Sequence, residues 1–97
     1  MFAKEWSVKY KGHSIVVRNS WSPKFLGSST EAKLYIDGSK VDSSNDKIVF
    51  ASNPALLGAI KGTDGSSEEV EVFAQTGLFK VKLRICVAGT QVLNDGF

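Results

Sequence analysis

The chain of 97 residues has little to offer metal, disulfide or nucleophilic chemistry: one cysteine, Cys86, one histidine, His13, one methionine and two prolines. A lone cysteine closes no internal disulfide, which argues against a stapled secreted scaffold and for a reducing, cytoplasmic compartment. With a single histidine and carboxylates at no recognisable ligand spacing, neither a metal site nor a cofactor is expected. Ser14 adjoins His13, but consecutive strand residues point to opposite faces and do not readily share a proton. His13 therefore reads as an exposed residue at the start of a strand, and the chain as non-enzymatic.

Long apolar runs are missing too. Nothing approaches the roughly 18 consecutive apolar residues of a bilayer-crossing helix, and the opening MetPheAlaLysGluTrpSerVal carries charges where a signal peptide has its apolar core, so no membrane partner is expected. Charge of one sign is scarce as well: twelve basic against ten acidic residues give +2. That is far from the cationic field of sequence-independent nucleic-acid binding, which becomes the weakest of the partner readings. No glycine-rich phosphate loop occurs, because the nine glycines fall singly between apolar runs as turn formers.

What is present is an apolar fraction of 42% that recurs with period two and is rich in Val, Ile, Phe, Tyr and Trp, the pattern of half-buried antiparallel strands. Phe79, Val81, Leu83, Ile85 and Val87 fall on one face of a strand, with Lys80, Lys82, Arg84 and Cys86 on the other. A two-residue turn at Thr76-Gly77 would pair Val72 with Val81, Val70 with Leu83, Glu71 with Lys82 and Glu69 with Arg84. A turn at Lys11-Gly12 pairs Val8 with Ile15, Trp6 with Val17 and Glu5 with Arg18. One at Asp37-Gly38 pairs Leu34 with Val41 and Lys33 with Asp42, and one at Ala88-Gly89 brings Ile85 opposite Val92. A strand is expected over residues 47–51, and a further short one over 55–60 after Asn53-Pro54. Residues 33–41 and 83–92 share a grammar of strand, glycine turn, strand, which either internal duplication or ordinary turn chemistry explains.

About eight or nine short strands joined by hairpins imply two packed sheets, because one sheet would not cover so much apolar surface. The expected architecture is all-β: a compact antiparallel β-sandwich, one domain spanning 1–97, with a small barrel as the alternative.

The strand order and several strings resemble the Fas apoptotic inhibitory molecule family: TrpSerVal at 6–8 ahead of HisSerIleValVal, LeuTyrIleAspGly at 34–38, and the hairpin from Val70 to Gly89. Asn19-Ser20-Trp21 after the second strand is closer still to bacterial proteins of this pattern that carry no assigned activity. The resemblance implies an antiparallel β-sandwich without catalytic machinery. The family's aromatic strand after the second hairpin is replaced here by SerSerAsnAspLysIleValPheAla, so the resemblance does not extend to apoptotic regulation.

One segment, residues 20–29, reads as a loop of odd composition, with Trp21, Phe25 and Leu26 among turn formers and Lys24 beside them. Either these side chains close the end of the core, or Trp21, Lys24, Phe25 and Leu26 form the surface that anchors a partner. The function expected is a protein-binding module, the alternative a carbohydrate or small-ligand binder.

Overall fold

The computed structural model describes residues 2–24, 27–44, 54–62, 64–76 and 81–96. The strand expected over 47–51 lies outside the described residues, as do Phe25, Leu26, Phe79 and Lys80. The chain divides into two compact units, Met1–Lys47 and Ile48–Phe97, each holding one four-stranded antiparallel sheet. No helix occurs among the described residues. The all-β expectation holds, with eight described strands.

The first sheet follows chain order: β1 (Phe2–Tyr10), β2 (His13–Lys24), β3 (Gly27–Ile36) and β4 (Ser39–Ser44). Its first hairpin has the predicted register, with Val8 opposite Ile15, Trp6 opposite Val17 and Glu5 opposite Arg18. Lys11 (φ 47°) and Gly12 (φ 81°) both adopt positive φ, the turn whose twist matches the flanking strands, so the ladder closes without a slip. Period-two alternation then puts Trp6, Ile15, Val17, Ala32, Leu34 and Ile36 on one buried face. Burying a side chain of the Val, Leu or Ile class contributes about 1.5–3 kcal/mol.

The hairpin from β3 to β4 departs from expectation. Asp37-Gly38 is the turn, but the register shifts beyond Tyr35, so Leu34 faces Asp42 and Lys33 faces Ser43. Val41 is the extra residue of a β-bulge and stands 45% exposed rather than opposite Leu34.

Of residues 20–29, expected as a loop, 20–24 and 27–29 lie in strands. β2 runs on to Lys24 and β3 resumes at Gly27, with Trp21 opposite Thr30 and Pro23 opposite Ser28. The β1–β2 ladder ends at Phe2 and Trp21. Pro23 therefore lies where β2 pairs with β3 alone, and its missing N–H costs no bond to β1.

The second sheet is also a meander: β5 (Leu56–Lys61), β6 (Ser67–Thr76), β7 (Val81–Val87) and β8 (Thr90–Asp95). The short strand expected over 55–60 is β5. Between it and β6, Gly62 N–H donates to the Ser66 carbonyl at 2.8 Å, while Asp64 Oδ1 accepts from the Ser66 N–H at 3.0 Å and hydroxyl at 2.6 Å. Leu56, Val70, Val72, Ala74, Leu83, Ile85 and Val87 form its buried face.

The β6–β7 register differs from the one read from Thr76-Gly77. Thr76 itself faces Val81, so residues 77–80 form the connection, Val72 pairs with Ile85, Val70 with Val87, Glu71 with Cys86 and Phe73 with Arg84. The slip is four residues, an even number, so every side chain keeps the face assigned to it although its partner changes. At the last hairpin a second bulge shifts the ladder, so Ile85 faces Leu93 and Val92 is the extra residue.

Candidate interaction face

Each sheet has one buried and one open face, and the two open faces differ in chemistry. On the first, Glu5, Arg18, Lys33 and Ser43 form a row across the strands, beside a row of Ala3, Ser20 and Glu31. Lys33 Nζ donates to Glu31 Oε1 at 2.9 Å, two positions along the same strand. That hydrogen bond, with the attraction of the Glu31 charge, raises the Lys33 pKa above its ordinary value. Because Ala3 and Ser20 are short and their neighbours long, the surface dips into an open cleft of about 270 Å³ lined also by Glu5, Arg18, Glu31 and Lys33. Cations and carboxylates alternate around it, so its field is largely self-neutralised.

At one end of this sheet two turns are tied together. His13 Nδ1 donates to Asp37 Oδ2 at 2.7 Å, and Asp37 Oδ1 accepts the Ser14 N–H at 3.0 Å. The His13 hydrogen bond, then the Ser14 N–H, hold the Asp37 carboxyl below its usual value. His13 is thus half-buried and clasped rather than simply exposed. Its partner lies 24 positions away, beyond the reach of local sequence reasoning.

The open face of the second sheet combines apolar and charged groups. Leu57 on β5 is 47% exposed, the highest value among the large hydrophobic residues described. Across from it runs Glu71, then Cys86, then Gln91. In the next row Phe73 faces Arg84 and Arg84 faces Asn94. The Arg84 guanidinium carbon lies 4.6 Å from the centre of the Phe73 ring, a cation–π stack worth about 0.5–1 kcal/mol where partly exposed. Lys82 is exposed one row further on, opposite Gln75. Glu69 and Glu71 do not oppose Arg84 and Lys82, as the sequence register had them, but occupy the other end of the same face.

Cys86 shares this face yet is buried, only 8% exposed. It sits on β7 opposite the bulge of β8. Of the residues proposed as a partner anchor, Trp21 and Lys24 lie in β2, where Lys24 faces Gly27, and Phe25 and Leu26 lie outside the described residues. Among the described residues no group of three His, Cys, Asp or Glu side chains is gathered as metal ligands.

These features define an all-β chain with two four-stranded sheets, one of which carries Leu57 and a Phe73–Arg84 stack on its open face. Compared with family models, curated proteins and solved structures, the chain matches none of them.

Proposed function

We propose that the chain is a non-enzymatic, cytoplasmic binding module that docks a protein partner on the open face of the second sheet. The observation that supports this is the gathering on one sheet face of exposed Leu57, half-buried Phe73 and Arg84 stacked over the Phe73 ring. Aromatic and arginine anchors carry much of the energy in protein interfaces, and a ring already held by its neighbour loses little side-chain freedom on binding. Glu69, Lys82 and Gln91 around them provide the polar rim, and Glu71 stands beside Leu57 within it. The segment that carries Trp21, Lys24, Phe25 and Leu26 is a second contact surface in this reading. The resemblance to Fas apoptotic inhibitory molecule proteins carries no catalytic expectation and agrees with it.

A small-ligand reading draws on the cleft of the first sheet, whose charged rim would suit a polar molecule. The two are separated by cross-linked capture from native cells with three proteins: wild type, Leu57→Asp and Arg18→Glu. Leu57→Asp should reduce capture about tenfold or more, and Arg18→Glu should leave it unchanged. The reverse order of effects overturns the assignment to the second sheet.

A further inference from the structure

Among the described residues, the outer strands β1, β4, β5 and β8 each pair with one strand of their own sheet. β1 is the longest of the four, nine residues without a bulge against six in each of the others, and β4 and β8 are interrupted by bulges at Val41 and Val92. The direction of its backbone groups follows from one bond. Asp37 N–H donates to the Ser14 carbonyl at 2.9 Å, one step beyond the Ile15–Ile36 pair, so Ser14, Val16 and Arg18 turn their backbone groups to β3 and the alternate residues of β2 turn theirs to β1. The partners of the latter on β1 are Tyr10, Val8, Trp6 and Lys4. The N–H and C=O groups of Ala3, Glu5, Ser7 and Lys9 therefore point away from the sheet, and all four residues are exposed.

A row of outward backbone groups is a template for another strand, and charge on an edge commonly repels one. Here the charges select a partner instead, because Glu5 and Lys9 stand two positions either side of Ser7. When a second β1 runs antiparallel about a two-fold axis normal to the sheet at Ser7, Ser7 meets Ser7 and Glu5 of each protomer meets Lys9 of the other, with the outward groups of all three bonded. On the opposite face Trp6 meets Val8, which extends the apolar row of Val8, Ile15 and Ile36 across the seam. Centring the pair on Glu5 or Lys9 sets like charges together, and centring it on Trp6 or Val8 sets Glu5 or Lys9 against Ser7. We propose that β1 is a self-recognition edge, by which two copies of the chain join β1 to β1 in an isologous dimer registered on Ser7. The result is a continuous sheet of eight strands, four from each protomer. It uses no residue of the second sheet and is independent of the partner proposed there. With about six backbone hydrogen bonds and a narrow seam, the dimer is weak and concentration-dependent.

Sedimentation over a wide concentration range and amide hydrogen exchange test it. Wild type should dimerise as concentration rises, and the Glu5, Ser7 and Lys9 amides should then exchange about tenfold more slowly, while the Trp6 and Val8 amides, already bonded to β2, change far less. Glu5→Lys and Lys9→Glu alone each set like charges together at both symmetry-related contacts and should weaken association about tenfold. Their equimolar mixture should recover to within about threefold of wild type, since each contact of the mixed dimer again joins opposite charges. Ser7→Pro removes an N–H that the sheet of one protomer does not use, so it should stay folded by circular dichroism and lose association about tenfold or more. Leu57→Asp on the second sheet should associate like wild type. Wild type that stays monomeric, with the three amides exchanging freely, leaves the edge to an extended segment of another protein and overturns the dimer. A mixture that does not recover overturns it as well, and so does association that Leu57→Asp loses and folded Ser7→Pro keeps. Should Ser7→Pro not fold, the three amides of wild type decide.

Discussion

The two sheets share one wiring plan and differ in what they do with it. In the first, the buried row Trp6, Val17, Leu34 leads to Asp42, and the row nearer the turn runs Val8, Ile15, Ile36, Ser39. In the second, Leu56, Val72, Ile85, Leu93 and then Gly58, Val70, Val87, Thr90 hold the same places. Each last hairpin turns on two residues of positive φ, Asp37-Gly38 and Ala88-Gly89, and bulges at the third residue past its glycine, Val41 and Val92. Even the strap from the turn to the strand beyond is repeated: Asp37 N–H donates to the Ser14 carbonyl and Ala88 N–H to the Glu69 carbonyl, both at 2.9 Å. The likeness between residues 33–41 and 83–92 thus extends over four strands. Turn chemistry and period-two burial dictate the plan, and the open faces are left to diverge, one into a cleft ringed by alternating charge, the other into a Phe73–Arg84 stack one row from Leu57 and Glu71.

The strongest test of that equivalence is in the cores. Leu34 and Ile85 occupy matching places and are both fully buried, so Leu34→Ala and Ile85→Ala should each cost about 2–5 kcal/mol in urea denaturation. A cost under about 1 kcal/mol at either place would break the comparison. Next come the turns. Nothing lies within 4 Å of a Cβ built on Gly38 or Gly89, so Gly38→Ala and Gly89→Ala should cost only the left-handed backbone penalty, about 1–2 kcal/mol each by the same assay.

The residues before those glycines sharpen the contrast. Ala88 holds φ 50° with no side-chain bond to help it, so Ala88→Asn should raise stability by about 0.5–1 kcal/mol. Asp37→Ala, by contrast, should lower stability, since it removes the acceptor shared by His13 and Ser14. The smallest effect is on pH dependence. Asp37 is depressed in the folded state, so its contribution is present above its ordinary pKa of 3.8 and is lost as pH falls through the lower folded value. Acid titration of stability should show this loss in wild type and a shallower one in Asp37→Asn; identical curves would remove the clasp from the account.

How far the sequence could be read depended on where its signals were local. The Lys11-Gly12 hairpin was legible to the residue, since a two-residue turn and uninterrupted alternation leave one register. Val41 and Val92 were assigned to the ladder because a bulge residue that is itself apolar leaves no mark in the hydrophobic pattern. Thr76-Gly77 looked like a tight turn, but a four-residue connection preserves the same alternation, and only the partners moved. That slip concealed the candidate site: with Glu69 set against Arg84, the Phe73 stack could not be seen. Pro23 and its serines disguised the end of β2 as a loop, because turn formers in a strand paired on one side read like those of a loop.

All described pairings in this molecule join strands that are neighbours in the chain. For folding kinetics this means that each ladder closes a short segment and then zips outward from its turn, with little loop entropy lost before the next contacts form. Three of the turns are two-residue hairpins of positive φ, which can nucleate early on the microsecond scale typical of hairpins. The slower step in the second sheet should be the β5–β6 closure, whose connection is longer than a two-residue turn, so variants of Gly65 should slow refolding more than variants of Gly12 that cost the same stability.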